Sequence, residues 1–207
     1  MYNKVTIIFL LVFGSFLFLQ ISCETCGPFP DRIKVTSIDW KNYDVTFLYG
    51  TEPTLELSEI MNGVVNYASY GIYIEPKTEL YFASRFNPSG FIAAAYACDP
   101  IIPVNEEKIK GISIVSHSEY SSNYPAGSDL SDLFDIIVFN PQNQTQFERY
   151  SLKDYIELEL QIPVYFVLIL NSPPDQSQEF EFEVTYYHEG IELDFYEFVT
   201  EKVFIEQ

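Results

Sequence analysis

The segment Glu179–Tyr186 has the most restrictive pattern in the chain, because polar and apolar residues alternate along it without interruption. In a β-strand successive side chains point to opposite faces, so this alternation predicts a strand with one buried and one solvated face. We expect the apolar members to face a core and the polar members to face solvent. The inward set is Phe180, Phe182, Val184 and Tyr186, and the outward set is Glu179, Glu181, Glu183 and Thr185.

The preceding segment, Val164–Leu170, is apolar throughout, which is typical of a strand that is covered on both faces. A polar loop at Asn171–Gln178 separates it from Glu179–Tyr186. We therefore expect these two segments to be adjacent antiparallel strands, with Val164–Leu170 in the centre of a sheet.

Further short segments have strand patterns, and two others have the capping residues of short helices. The helical segments are Asp129–Phe134, behind an N-cap at Ser128, and Ser151–Leu158. Many short strands with few helices predict a mostly β fold, immunoglobulin-like or another β-sandwich, with a few short helical turns. The additional strand segments are Arg32–Trp40, Val45–Tyr49, Tyr70–Glu75, Glu79–Arg85, Lys108–Val115, Asp135–Asn140, Ile191–Phe195 and Lys202–Ile205.

The N-terminus has the pattern of a secretory signal, with Lys4 followed by the apolar run Val5–Leu19. Such a run is short for a helix that spans a bilayer. Ser22 directly before Cys23 resembles the lipobox of bacterial lipoprotein precursors, in which a peptidase cuts before a cysteine that carries a diacylglyceryl group. The usual lipobox has Leu where this chain has Gln20, so cleavage without lipid and an uncleaved anchor remain alternatives.

These features divide the chain into three predicted parts. Residues 1–22 form a signal peptide, residues 23–31 form a tether, and residues 32–207 form one β-sandwich-like domain with one or two sub-sheets. The expected location is the bacterial cell envelope, where lipid on Cys23 attaches the domain to a membrane. In the outer membrane such a domain faces either the periplasm or the cell surface.

The charge of the chain excludes one class of partner. The sequence has 11 Lys and Arg against 30 Asp and Glu, a formal net charge of −19. Loss of Lys4 with the signal leaves 10 basic against 30 acidic residues, or −20. Nucleic-acid binding needs a cationic face, so we expect no nucleic-acid partner. A solvated surface accounts for the acidic residues.

Three cysteines are present, and Cys26 and Cys98 remain if Cys23 takes lipid. In an exported protein a remaining pair of thiols usually forms a disulfide, which we expect here, with two unpaired cysteines as the alternative. Only these thiols and two isolated histidines could supply soft ligands, so the sequence predicts no zinc site, and we expect no cofactor.

The sequence contains no recognisable catalytic motif. His117 follows a strand segment and lies between serines, and His188 is expected in a hairpin turn. Neither histidine has a nucleophile or a base at a familiar spacing, so we predict no catalytic residues. Because 30 acidic residues make some carboxylate pair unavoidable, a secreted hydrolase that uses such a pair remains an alternative.

Two further sets of residues have more than one interpretation. Three aspartates spaced three apart could hold calcium, or could begin a short helix and face solvent. Four tyrosines could form a platform for sugar stacking, or could belong to the core. The aspartates are Asp129, Asp132 and Asp135, and the tyrosines are Tyr120, Tyr124, Tyr186 and Tyr187.

The order of several segments resembles a group of uncharacterised Bacteroidota lipoproteins, the DUF5034-like domains of unknown function. The matching parts are the signal with Cys23, the Cys98-Asp99-Pro100 loop, KIKGISIVS followed by PAGSDLSDLF, and PPDQSQEFEFEVTY. The resemblance implies an envelope lipoprotein with a β-sandwich-like domain, and it implies no activity. We therefore expect a non-catalytic binding or accessory module whose ligand is a glycan or a protein, with a carbohydrate- or peptide-binding surface protein as the more specific form.

The first testable prediction concerns the N-terminus. Mass spectrometry of the membrane fraction should find Cys23 as the first residue of the mature chain and should find it acylated, because several acyl chains hold a domain firmly on a bilayer. An unmodified peptide that runs through Cys23 would contradict the prediction.

Overall fold

A computed structural model of the chain describes residues 32–48, 54–81, 104–140, 143–191 and 193–207. The chain divides into two compact units, Met1–Arg32 with Leu80–Val104, and Ile33–Glu79 with Asn105–Gln207. The second unit contains nearly all of the described residues. Cys23, Cys26 and Cys98 lie outside the described residues, so lipidation and the disulfide stay predictions.

The described residues are mostly β-structure, which confirms the predicted fold class. Within these residues one α-helix, α1, covers Leu152–Glu157, and turns of 3-10 helix cover Met61–Gly63, Tyr67–Ser69 and Ser131–Leu133. No helix in the described ranges is both long enough and apolar enough to cross a bilayer. The strands are β1 Arg32–Leu48, β2 Thr54–Glu59, β3 Val64–Asn66, β4 Tyr70–Tyr81, β5 Val104–Asn105, β6 Ile109–Ser116, β7 Phe134–Asn140, β8 Asn143–Ser151, β9 Phe166–Leu170, β10 Gln178–Phe180, β11 Phe182–His188, β12 Phe195–Val199 and β13 Val203–Glu206.

The strands form three sheets. The largest has the order β2-β1-β4-β9-β7-β8, with β5 also paired to β1. Two three-stranded sheets have the orders β10-β13-β3 and β12-β11-β6. One face of the large sheet packs against the two small sheets, and this packing makes a β-sandwich.

Aromatic side chains join the two layers in the main core. Phe182 on β11 is fully buried, and its ring lies 5.6 Å from that of Tyr70 on β4 and 5.8 Å from that of Phe134 on β7. The rings of Phe166 and Tyr186 lie 6.2 Å apart and connect β9 to β11. The inner face of β11 therefore packs across the three central strands of the large sheet.

The other face of the large sheet encloses a second, smaller core. Its fully buried members are Val45, Ile137, Val167 and Ile169. β2 and β8 at the two ends of the sheet approach each other, and the rings of Phe47 and Phe147 lie 5.8 Å apart. β9 is thus buried on both faces, as its continuous apolar sequence predicts.

The predicted pairing of Val164–Leu170 with Glu179–Tyr186 is wrong. β9 has β4 and β7 on its two sides and so has no free edge for another strand. The alternating segment divides at Glu181 into β10 and β11, which belong to different small sheets. Periodicity fixes which face of a strand is buried but does not fix its partner.

The predicted faces of the alternating segment are confirmed. The apolar set is at most 1 % exposed, whereas the polar set is partly or fully exposed. The members of the buried set are Phe180, Phe182, Val184 and Tyr186.

Several predicted boundaries are wrong. Arg32–Trp40 and the described part of the second segment, Val45–Leu48, belong to one strand, because the chain continues extended through residues 41–44 and pairs with β2 from Tyr43 onward. The predicted strand Ile191–Phe195 is not found at the described residues 191, 193 and 194, and β12 begins only at Phe195.

The two helical predictions have different outcomes. Asp129–Phe134 contains only a single 3-10 turn, and the carboxylate of Asp129, not Ser128, accepts the Ser131 amide at 2.9 Å. A helix at Ser151–Leu158 is confirmed as α1, where Ser151 Oγ accepts the amide of Asp154 at 3.1 Å.

The packing predicts a large difference between two phenylalanines of the same small sheet. Phe182→Ala should lower the free energy of unfolding by about 3–5 kcal/mol, since it opens a cavity between the layers. Phe195→Ala, at a position 52 % exposed, is the matched control and should change it by about 0.5 kcal/mol or less. Urea unfolding of both variants measures the difference, and similar losses would mean that Phe182 is not a core residue.

Candidate functional site

The small sheet β12-β11-β6 presents one face to solvent. Tyr187 on β11 lies between Gly111 on β6 and Phe195 on β12, and Thr185 lies between Ser113 and Glu197. The alternate residues of β11 are buried in the main core, so these rows point away from it. We call this surface the outer face. Its members are Gly111, Ser113, Val115, Glu183, Thr185, Tyr187, Phe195, Glu197 and Val199.

Two aromatic rings form an exposed pair on the outer face. Tyr187 is 44 % exposed and Phe195 is 52 % exposed, and their ring centroids lie 6.3 Å apart with planes tilted by 42°. On the other side of the Tyr187 ring lies Gly111, which has no side chain to cover it. A Cβ at this position would be in van der Waals contact with the ring, 3.6 Å from Tyr187 Cδ2. Val199, 43 % exposed, extends the apolar surface along β12.

The outer face also contains two acidic residues, Glu183 and Glu197. Glu197 is exposed between Phe195 and Val199. Glu183 lies across from Val199 on β11, and its Oε2 atom lies 3.2 Å from Nε2 of His117. The predicted surface position of His117 is confirmed, since its side chain is 53 % exposed at the end of this face.

The chain segment that builds most of this region has no positive side chain. Between Lys153 and Lys202 the sequence contains no Lys or Arg and twelve Asp or Glu residues. On β6 the ammonium of Lys110 is already 3.2 Å from the carboxylate of Glu189. The outer face therefore offers apolar contact and negative charge together.

A buried carboxylate lies beneath this region. Glu107, 1 % exposed, accepts the amide of Val35 at Oε2 (2.7 Å) and the amide of Ile191 at Oε1 (3.0 Å). A carboxylate without such partners would be very costly to bury. Its two hydrogen bonds join β1 to the connection between β11 and β12.

His188 is not in a hairpin turn, so that prediction is wrong. It is the last residue of β11, is 3 % exposed, and stacks on Tyr196 with 5.3 Å between ring centroids. Its Nδ1 atom lies 3.8 Å from Oε2 of Glu107, too far for a hydrogen bond. Within the described part of the chain, neither ring nitrogen nor the buried hydroxyl of Tyr186 has a hydrogen-bond partner.

Burial lowers the pKa of His188, and the carboxylates of Glu107 and Asp194 only oppose this effect. Burial likewise raises the pKa of Tyr186. Gly190 lies directly against the imidazole, because a Cβ there would lie 2.7 Å from His188 Cε1 and would overlap the Leu193 carbonyl. Glu107, Tyr186 and His188 are thus too buried to contact a substrate. Glu107 and His188 instead contact the inner side of the β11–β12 connection.

The other residues that the sequence singled out do not form a common site. Tyr120 and Tyr186 are core residues, Tyr124 is partly buried, and only Tyr187 is exposed. The calcium interpretation of the three aspartates gains no support from their positions. Asp129 accepts from Ser113, Ile114 and Ser131, whereas Asp135 pairs with Arg149 at 2.7 Å and accepts from Asn171. Within the described ranges, no group of three or more His, Cys, Asp or Glu is placed to hold a metal ion.

An open cleft of about 410 Å³ lies beside β1 and the end of β12. Trp40 lines it and stacks on Phe198 with ring centroids 5.1 Å apart. Three of its polar side chains already have partners: Lys41 pairs with Glu59, Asp39 lies 3.4 Å from Lys77, and the Asn42 amide donates to the Glu201 carbonyl. The cleft is therefore a weaker candidate than the outer face.

Comparisons with known proteins add little to this geometry. No protein-family model matches the chain, and no curated protein matches it. The C-terminal domain of the Streptococcus pyogenes antigen I/II-family protein AspA is similar at 12 % identity and TM-score 0.23, over 83 % of this chain and 47 % of that chain. The C-terminal domain of the Streptococcus agalactiae antigen I/II polypeptide BspA is similar at 11 % identity and TM-score 0.27, over 83 % and 50 %. The chain spans about half the length of these two structures, and likeness at this level carries no argument about function.

Sequence reasoning missed two residues that matter here. The sequence predicts Phe195 only as the end of a strand, and its position beside Tyr187 depends on the pairing of β11 with β12. Glu107 gave no signal at all, because it is one acidic residue among 30.

The buried imidazole gives a prediction about pH. Since the folded pKa of His188 lies below its ordinary value of 6.5, the unfolded chain takes up this proton first as the pH falls. The stability that this group contributes is complete above about pH 6.5 and is lost as the pH falls below that value toward the folded pKa. NMR titration of the imidazole signals should show His188 titrating below 6.5, with the H117N variant used to assign it. A midpoint above 6.5 would mean that Glu107 outweighs desolvation.

Proposed function

We propose that this chain is a non-catalytic binding protein of the bacterial cell envelope, attached to a membrane through lipid on Cys23, and that it binds a ligand on the outer face. The observation that carries the proposal is the exposed pair of Tyr187 and Phe195. Exposed aromatic side chains that are fixed on a sheet lose little conformational entropy on binding and often supply much of the binding energy.

The surroundings of this pair support binding rather than catalysis. The buried Glu107 and His188 have no access to solvent, so they cannot receive a substrate. Polar groups that can form directional contacts flank the two rings, namely Thr185 and Glu197. Apolar contact with a few polar groups around it is the usual composition of a recognition surface.

A hydrolase with a carboxylate pair is the alternative. Asp39 and Glu201 both line the open cleft beside Trp40, so this cleft is where such a reaction would take place. Both side chains are exposed, whereas a catalytic general acid usually depends on burial to stay protonated. The arrangement therefore favours a binding protein over a hydrolase.

The proposal predicts which substitutions reduce binding. The protein is purified in the form that the cell produces, and it is screened against arrays of bacterial glycans and of peptides. Tyr187→Ser together with Phe195→Ser should lower affinity for the captured ligand at least tenfold, since two central contacts are lost. Met61→Ser, at a position 79 % exposed and away from the outer face, is the control and should bind like the unchanged protein.

Two results would contradict the proposal. One is a ligand whose binding does not change in the double variant. The other is turnover of a glycan or peptide that is lost on Glu201→Gln or Asp39→Asn, which would establish the hydrolase. Release of products from the incubated arrays, followed by mass spectrometry, detects the second result.

A further inference from the structure

We infer that β12 is a docking strand, which takes an extended cationic segment of another protein as an added strand of the small sheet. The inference rests on the proposed function and specifies its partner: a polypeptide with the pattern apolar, any residue, basic, any residue, apolar. Addition of a strand to an open sheet edge is a common mode of peptide recognition, in which main-chain hydrogen bonds give affinity and alternate side chains give specificity.

The first observation is the free edge of β12. It ends its sheet, and no strand in the described part of the chain pairs with its other side. Thr200 donates its amide to the Phe182 carbonyl at 2.8 Å, and the Asp194 carbonyl accepts the His188 amide at 3.0 Å. In an antiparallel pair alternate residues bond to the neighbour, so the even-numbered residues of this segment bond to β11. The amides and carbonyls of the odd-numbered residues 195, 197 and 199 therefore point outward.

The second observation is that the same three residues also turn their side chains to solvent. Phe195, Glu197 and Val199 are all exposed on the outer face, in the order apolar, acidic, apolar. Residues directly opposite each other on paired strands have side chains on the same face, about 4.5–5.5 Å apart. An added strand would place apolar side chains beside Phe195 and Val199 and a basic side chain beside Glu197.

The third observation is charge complementarity. Asp194 and Glu197 lie on the β11–β12 hairpin, and the sequence between Lys153 and Lys202 contains no Lys or Arg. Within the described residues, Glu197 has no ion pair, so its carboxylate is available to a partner. A basic segment would be attracted to this edge before contact and would pair with Glu197 after it.

The same charges argue against a second copy of this chain as the occupant. An antiparallel pair of β12 strands centred on Glu197 would place two glutamates directly opposite each other, which is destabilising. Two chains of net charge −19 would also repel. A charge in the middle of an edge strand is a known device against self-association. It would leave the edge open to a basic partner.

The experiment compares two labelled peptides that differ in one charge. The full-length chain, kept in detergent, is titrated with Thr-Val-Thr-Arg-Thr-Val-Thr and with Thr-Val-Thr-Glu-Thr-Val-Thr, and binding is followed by fluorescence anisotropy. The Arg peptide should bind about threefold to tenfold more tightly, as expected from one cross-strand ion pair in place of a repulsion. Glu197→Lys should reverse the preference.

A matched control separates the edge from overall charge. Glu179→Lys makes the same change of charge at an exposed position of β10, in the other small sheet, and should keep the preference for the Arg peptide. Hydrogen–deuterium exchange should show fast amides at residues 195, 197 and 199 in the free protein and slower exchange with the Arg peptide bound.

Every other outcome overturns the inference. In the titrations, these outcomes are that neither peptide binds, that both peptides bind equally, or that Glu197→Lys and Glu179→Lys have the same effect on the preference. In hydrogen exchange, the outcome is slow exchange of the three amides in the free protein. A dimer of the unchanged chain in sedimentation that Glu197→Lys alters would assign the edge to a second copy. If neither peptide binds but the screen finds a ligand that depends on Tyr187 and Phe195, only the docking strand is contradicted. If the peptides do not bind and no such ligand is found, the proposed function is contradicted as well.

Discussion

Burial of the large sheet on both faces is the constraint on which the rest of this structure depends. β9 contributes five consecutive residues that are at most 1 % exposed, with Phe166, Leu168 and Leu170 in the main core and Val167 and Ile169 in the second core. Each such side chain contributes about 1.5–3 kcal/mol by leaving water. Gly71 on β4 shows how closely the second core is packed, because a Cβ there would lie 2.9 Å from Val167 Cγ1. Because the second core occupies one face of the large sheet, the small sheets pack against its other face. The opposite face of the sheet β12-β11-β6 is left to solvent.

The buried Glu107 connects this packing to the candidate binding surface. Its carboxylate accepts amides from Val35 and Ile191, and the Tyr196 hydroxyl donates to the Val35 carbonyl at 3.0 Å. These bonds hold the start of β12 against β1 while the opposite side of the same hairpin faces solvent. Removal of one partner from a buried charge is strongly destabilising, so a single substitution that removes a hydrogen bond of Glu107 should destabilise the fold. The strand that carries Phe195 is therefore tied to β1 through groups on the side opposite its exposed ring.

The inner and outer faces of β11 have different surroundings. Phe182, Val184 and Tyr186 are buried between the layers, whereas Thr185 and Tyr187, one residue out of phase, reach solvent. A chain that turns its alternate residues to opposite faces can keep its core fixed while the exposed set changes. The placement of β12 at the end of a three-stranded sheet then adds a main-chain edge to the exposed side chains.

The sequence by itself determined which residues are buried along each strand, because side-chain periodicity is a local property of an extended chain. It predicted the alternation from Glu179 to Tyr186, the double burial of β9, the helix after Ser151 and the mostly β fold. Only the tertiary structure decided which strands are neighbours. Strand pairing joins residues far apart in the chain, as for β11 with β6, and local pattern carries no information about such pairs. For the same reason the sequence could not place Phe195 beside Tyr187, or bring Glu107 and His188 together within a closed interior.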